Sequence, residues 1–164
     1  MMSLLRRKLF PPIYSTDIKA NLVTTRIFGG KVYALNEYTK YRLELAAERV
    51  EVSKIMLDCG HFRDSINRSY YAIFTAVRAL LSEDGVAFKK HSAVISYFRR
   101  EYIKTNIFEV KYSDYIGNAF EFRNDCDYED FVFASREEAE EQYQHAVEFV
   151  EAIKAYLEAR NESS

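Results

Sequence analysis

The sequence predicts an all-α fold, an antiparallel bundle of four to five helices, on three observations. From Asn36 onward, apolar residues recur at three- and four-residue steps, the period of a helix with one buried face. The chain has only five Gly and two Pro among 164 residues, too little punctuation for a fold of many strands. Ser135 and Glu138 form a Ser-x-x-Glu capping box, the signature of a helix start.

The first helix is expected from Asn36, a good N-cap, to Gly60, a good residue just past a helix end. Leu43, Ala46, Ala47, Val50 and Met56 give it an apolar face. The second is expected from Asp64 to Ser82, ending at Gly85. Ile66, Tyr70, Ile73, Phe74, Val77, Leu80 and Leu81 leave it few polar positions, which marks it as central. A third is expected over Lys90–Tyr102, with Val94, Ile95, Phe98 and Tyr102 inward, followed by a loop over 103–110. The fourth is expected over Lys111–Asn124. The last starts at Ser135 and buries Ala139, Ala146, Val147, Val150, Ile153 and Leu157. Short links between such helices give an up-down bundle over 36–160.

Length and an apolar share of 48% suit one globular domain. Residues 1–35 differ: they hold both prolines and the Gly29-Gly30 pair and show no helical period. They read as a flexible extension, or as a start assigned upstream of a true one near Val32 or Leu35. Their basic, acid-poor character also fits a transit peptide. Residues 161–164 read as a disordered tail. Thirteen Tyr and 12 Phe exceed what a small core needs, so some aromatics are expected at an oligomer interface.

Residues 1–36 carry a net +5 and the remainder a net −7. An acidic body argues against broad binding along a nucleic-acid backbone but leaves room for a local basic pocket. Cys59 and Cys126 make no metal-type spacing, and buried, reduced thiols are expected. No apolar run reaches the roughly 18 residues of a membrane span, and no apolar stretch follows Arg6-Arg7-Lys8 as in a secretory signal. The expected location is the cytoplasm. No cofactor is expected: there is no Gly-rich phosphate loop and no GxSxG elbow, and His61, His91 and His145 are too far apart for a local metal motif.

Three polar clusters stand out. Asp64, Arg68 and Tyr71 share one face of the second helix, as a helix ion pair between Asp64 and Arg68 or as the polar wall of a site. Lys89-Lys90-His91 opens the third helix, as a solvated charge run or as an anion site at a helix N-terminus. Arg123-Asn124-Asp125-Cys126-Asp127-Tyr128 is placed at the end of the fourth helix. There, Arg123 either pairs with Asp127 to close the helix or, with Asn124, grips a phosphodiester through its bidentate fork. A neighbouring His or Tyr can then move a proton.

These residues resemble the HEPN domain family, in its subgroup of small prokaryotic UPF0332-type proteins. The resemblance rests on Gly60-x-x-Arg63-Asp64-Ser65-Ile66-Asn67-Arg68-Ser69-Tyr70-Tyr71-Ala72-Ile73-Phe74, on Arg78-Ala79-Leu80-Leu81, on Lys90-His91, on Arg123 through Asp127-Tyr128, and on the capped helix from Ser135. It covers roughly residues 37–158. It implies a helical bundle that pairs into a homodimer. It also implies a cleft where an Arg, followed after four to six residues by a His, carries metal-independent RNA cleavage. Here Arg123 matches the Arg and Asn124 the polar residue after it, but positions 128–130 hold Tyr128, Glu129 and Asp130 in place of the His. Tyr, with an ordinary pKa near 10, is a poor base at neutral pH. The resemblance further implies pairing with a minimal nucleotidyltransferase in a toxin–antitoxin module, with Tyr128 as an acceptor for AMP.

The expected function is therefore RNA, nucleotide or partner binding within such a module, ahead of active ribonuclease chemistry. Arg123, Asn124 and Tyr128 are the candidates for catalysis. Arg68, Tyr71, Lys90, His91 and Arg123 are the candidates for binding, with Asp64 and Asp127 as structural partners.

Overall fold

Four long helices and one short one make up most of the described residues. The computed structural model describes residues 35–128 and 133–162, with backbone alone at 126–128. They are α1 (Glu37–Asp58), α2 (Phe62–Glu83), α3 (His91–Phe98), α4 (Lys111–Tyr128) and α5 (Arg136–Glu162), with a π-helical turn, Arg99–Ile103, continuing α3. The described residues hold no strand. The extension expected over 1–35 lies outside them except for Leu35, which packs against the core. Of the tail expected over 161–164, Asn161 and Glu162 are helical as the end of α5, and residues 163 and 164 lie outside the described residues.

The α1–α2 corner follows from local chemistry. Asn36 caps α1, accepting from the Thr39 amide at 2.9 Å. At the other end, Gly60 takes φ +80°, which a side chain resists. The Gly60 amide then donates to the Leu57 carbonyl and the His61 amide to Met56. Gly85, at φ +70°, ends α2 in the same way, with Val86 donating to Leu81. Both are six-to-one helix closures that satisfy the last carbonyls.

α1 lies close against α2 because small residues meet along the contact. Thr39, Ala46 and Ser53, seven apart on α1, are all fully buried. They face Ser65, Ser69, Ala72, Ala76 and Ala79 of α2, also fully buried. The hydroxyls close on one another. Ser65 Oγ donates to the Ser53 carbonyl at 2.9 Å, and Ser53 Oγ lies 3.0 Å from the Ser65 carbonyl and 2.8 Å from Ser69 Oγ. At the other end, Thr39 Oγ1 and Asn36 Nδ2 both donate to Glu83 at 2.7 Å. Pairs low in one helix and high in the other fix the antiparallel register. This seam corrects part of the expected face of α1: Ala46 is buried as read and the half-buried Leu43 and Val50 pack against the core, but Ala47 is exposed, and Thr39 and Ser53 join Ala46 as the small residues that point inward.

α2 is the central helix, as expected. Ile66, Tyr70, Ile73, Phe74, Val77, Leu80 and Leu81 are all buried, and α1, α4 and α5 pack around it. Beyond it, an aromatic core joins the α3 segment to α4 and α5. Phe98 lies 5.4 Å from Phe149 and 5.8 Å from Phe108, and Tyr112 lies 5.4 Å from Phe149, ring centre to ring centre. Phe149 is fully buried although the periodicity of the last helix did not single it out. Many of the aromatics are thus internal. Their hydroxyls explain how: Tyr102 and Tyr97 donate to Asp84 at 2.6 and 3.2 Å, and Tyr112 and Tyr115 to Glu148 at 3.3 and 3.1 Å. The capping box closes as read, with Ser135 N donating to Glu138 at 2.8 Å and Glu138 N to Ser135 Oγ at 3.1 Å. Cys59 is exposed, not buried, because it is the C-cap residue at the α1–α2 corner. The side chain of Cys126 lies outside the described residues.

Ala46→Leu would force a branched side chain into the α1–α2 seam. It is expected to lower unfolding free energy by about 1–3 kcal/mol. Urea unfolding checks this, and an unchanged midpoint would mean that the two helices are not in such close contact.

Candidate functional site

The helix carrying Arg123 does not end at Asn124. It runs on to Tyr128, so Arg123 and Asn124 sit within the body of α4. Both are half-buried, and Arg123 Nη1 reaches Asn124 Oδ1 at 3.4 Å. The side chains of Asp127 and Tyr128 lie outside the described residues, so the Arg123–Asp127 pairing and the place of the Tyr128 hydroxyl are not described.

Across from Arg123, α2 supplies Tyr70. Its ring is fully buried, 6.1 Å from Phe120 of α4. Its hydroxyl meets Nδ1 of His91 at 2.6 Å. The His91 ring stacks on Phe74 at 4.1 Å and stands edge-on to Tyr71 at 6.4 Å. Two aromatic faces and one hydrogen bond therefore fix the imidazole at the first residue of α3. Among the described residues no hydrogen bond engages its other nitrogen, Nε2.

The charges around this group are positive. Burial pushes the His91 pKa below its usual 6.5, and the nearby Arg123 and Arg78 push it further the same way. Burial raises the Tyr70 hydroxyl, with Arg123 opposing that rise and Tyr71 adding to it. At neutral pH the pair is therefore a neutral imidazole and an intact phenol. Arg123 from α4, Arg78 from α2 and His91 from α3 thus share one electrostatic neighbourhood.

The polar face of α2 continues this patch. Arg68 and Arg78 are exposed and Tyr71 is half-buried on the same face. α1 brings two more arginines to it. Arg42 Nη1 donates to the Arg78 carbonyl at 3.0 Å, and Arg49 Nη1 to the Tyr71 carbonyl at 3.2 Å and to Thr75 Oγ1. The Arg49 guanidinium also lies 5.7 Å above the Tyr71 ring. Burial lowers the pKa of Arg42 and of Arg49; Arg78 lowers Arg42 further, as Arg68 and then Arg78 do Arg49. Tyr38 and Tyr41 stand exposed beside them on α1, at 56% and 60%.

Of the residues read from sequence, Arg123, His91 and Tyr71 come together, with Arg68 at the edge near Arg49. Lys90 is exposed at the N-cap of α3, its side chain making no cap. The expected Asp64–Arg68 ion pair does not form: Asp64 is exposed in the first turn of α2, where its charge meets the positive helix end. Sequence reading missed Arg42, Arg49, Arg78 and Tyr70. The signal for the first two was present, since Arg42 and Arg49 keep the seven-residue spacing of Thr39, Ala46 and Ser53. Tyr70 was assigned to the core by its period, which is correct for the ring and silent about the hydroxyl. Among the described residues no group of three or more His, Cys, Asp and Glu is placed to hold a metal ion, and no helix is long and apolar enough to cross a membrane.

Comparison with known proteins identifies a family for this chain. Residues 39–156 match the model of the HEPN domain. The chain belongs to the HEPN domain family. It is similar to the Methanocaldococcus jannaschii protein named "Putative toxin MJ0142", 33% identical over 119 residues, which are 73% of this chain and 81% of that one. A UPF0332 protein of Thermotoga maritima is 33% identical over 122 residues, 74% of this chain and 90% of its own. A second M. jannaschii protein, "Putative toxin MJ0605", is 32% identical over 123 residues, 75% and 91% of the two chains. The HEPN match spans every element that frames the site, from the first seam residue, Thr39, through α4 and most of α5.

The depressed His91 pKa has a consequence for stability. The unfolded chain binds this proton at a higher pH than the folded chain does. The stability involved is complete above about pH 6.5 and is lost as pH falls through the folded value. His145, stacked on Tyr115 at 3.8 Å and also lowered by burial, acts with the same sign. His91→Asn is expected to flatten part of the acid-side loss and leave the His145 part. Urea unfolding of both proteins between pH 5 and 7.5 measures it; identical pH dependence would place His91 in solvent.

Proposed function

We propose that this HEPN chain is the toxin-like member of a two-protein module and that the cationic patch around Arg123 and His91 binds RNA or a nucleotide. One observation carries this reading: three helices of an acidic protein gather arginines around a set of aromatic rings. Among the described residues, Arg42, Arg49, Arg68 and Arg78 form no ion pair with a carboxylate. Such a set is self-repelling until an anion arrives, and phosphate is the anion that a planar guanidinium fork fits best. Tyr71 at half-burial and the exposed Tyr38 and Tyr41 offer faces on which unpaired bases stack, which favours single-stranded RNA over a duplex. The names of two relatives as toxins support the toxin-like role, and the family resemblance supports a homodimer and a minimal nucleotidyltransferase as partner. The binding residues in this reading are Arg123, Arg68, Tyr71 and His91, joined by Arg49 and Arg78, with Asn124 beside Arg123.

Fluorescence anisotropy with a labelled single-stranded RNA, over a range of salt, tests the reading. The wild-type chain is expected to bind, with affinity falling as salt rises. Arg68→Ala is expected to weaken binding alike for different sequences and to reduce the salt slope by about 0.7, the share of one phosphate contact on a single strand. Arg123→Ala is expected to weaken it as well. If neither RNA nor AMP nor ATP binds the wild-type chain, the reading is wrong, and Arg123 then acts within the fold alone.

A further inference from the structure

We infer that the outward face of α1 is a self-recognition surface, on which α1 of a second copy of this chain lies alongside and points the same way. The family resemblance implies a pair of chains, and the inference rests on that reading; the face, the direction and the register come from α1 itself. Tyr38, Tyr41, Leu45, Glu48, Val52 and Ile55 follow one another at alternating steps of three and four. That is the heptad pattern of a helix seam. These residues turn away from the chain's own core. Tyr38, Tyr41 and Ile55 are 56%, 60% and 56% exposed. Leu45 and Val52 are half-buried and join neither hydrophobic core. α1 meets α2 along Thr39, Ala46 and Ser53, all buried. At 3.6 residues per turn, the outward stripe is centred roughly 150° around the helix from that contact.

The two edges of the stripe carry opposite charge. Arg42 and Arg49 flank it on the side next to α2, where they donate to the Arg78 and Tyr71 carbonyls. Glu44 and Glu51 flank it on the other side. The ion pairs within α1 are Lys40 with Glu37 and Lys54 with Asp58, and among the described residues Glu44, Glu48 and Glu51 form none. Two such faces packed antiparallel would set arginine edge against arginine edge and acidic edge against acidic edge. Packed parallel, each acidic edge meets a basic one, and Glu44 comes opposite Arg49 of the second copy. Arg49 uses only Nη1 for its bonds within the chain, which leaves its other N–H groups for a carboxylate. Charge complementarity therefore selects a second copy, in the parallel direction.

Glu48 is the one charged member of the stripe. In a parallel pair it falls beside Arg49 of the second copy. A single polar residue in a seam fixes register at a cost in stability, so the pair is expected to form and part with concentration. Pairing covers Tyr38 and Tyr41, which places part of the chain's aromatic surplus at an interface. Arg68, Tyr71 and Arg78 lie on α2, beyond the Arg49 edge. They stay open in the pair, and Tyr71 is then the stacking face left to a ligand.

Sedimentation of the full chain over a range of concentrations tests the inference. Wild type is expected to pass from one copy to two as concentration rises. Leu45→Glu is expected to weaken the pair at least about a hundredfold, since each copy loses a leucine from the seam. It is expected to keep the wild-type helical circular dichroism, because Leu45 lies outside both cores. Ile55→Glu, at a more exposed position, is expected to weaken the pair in the same way, so the result does not hang on the folding of one variant. Direction is read separately from Cys59, which is exposed and continues the stripe four residues after Ile55. In a Cys126→Ser chain, mild oxidation by copper–phenanthroline is expected to join the two copies through Cys59, and adding Leu45→Glu to abolish the joined form. A pair undiminished in both glutamate variants would overturn the α1 face and leave a homodimer through another surface. A pair that these variants weaken but that never joins at Cys59 would overturn the parallel direction. A wild-type chain that stays single at every concentration would overturn the inference and the proposed homodimer together.

Discussion

The short distance between α1 and α2 is the constraint on which the arrangement of charge depends. Only residues as small as Ser, Ala and Thr meet along Thr39, Ala46 and Ser53 and the opposing face of α2. Their hydroxyls are satisfied by one another and by backbone, so the seam carries polar groups without an unpaired buried one. At this separation, Arg42 and Arg49 can reach across to α2. A carbonyl has two lone pairs, so the Arg78 and Tyr71 oxygens can accept a guanidinium N–H beside their helical bond. A larger side chain anywhere along the seam would move α1 outward and withdraw both arginines together. The residues that set the packing thus also set the cationic face, although none of them is charged.

The tyrosines show how structural polar clusters differ from the candidate site. A Tyr ring can enter the core only if its hydroxyl finds a partner. Asp84 provides one for Tyr97 and Tyr102, and Glu148 for Tyr112 and Tyr115. In both, a carboxylate is balanced by a cation, Arg160 or Lys111, and the network closes. At Tyr70 the partner is an imidazole whose second nitrogen has no hydrogen bond among the described residues, and among those residues the neighbouring Arg68 and Arg78 form no ion pair with a carboxylate. A closed network stabilises a fold; an open one beside unbalanced charge is what ligand chemistry requires.

How much of this was legible in the sequence divides along physical lines. Periodicity found the helices and nearly all of the α2 and α3 cores, because burial on one face is a local pattern. The capping box and the two glycine closures were readable because each is decided within a few residues. The face of α1 was read in part: Ala46 is buried and Leu43 and Val50 pack against the core, but Ala47 is exposed, and apolar count passed over Thr39 and Ser53, which close packing selects. The end of α4 was placed too early, because Asn124 and Asp125 look like helix stops when only propensity is weighed. Arg68, Tyr71, His91 and Arg123 were all named, but their relation was hidden. Tyr70 to His91 spans a loop, and Arg49 to Tyr71 spans the α1–α2 corner, so neither contact has a sequence signature.

That division bears on the missing histidine. A motif written as an Arg and a His a few residues apart records one way for a chain to bring two groups together, on successive turns of one segment. The chemistry needs only that a cation and a neutral imidazole face the same phosphate, and it is indifferent to their order in the chain. Here, α4 carries Arg123 and the first residue of α3 is His91, close enough for the charge of Arg123 to act on the imidazole, with Tyr70 fixing the ring. A sequence pattern that counts residues after Arg123 passes over such a pair. A fold that places the start of α3 against the middle of α2 and within the field of α4 brings two such residues near each other although many residues part them in the chain.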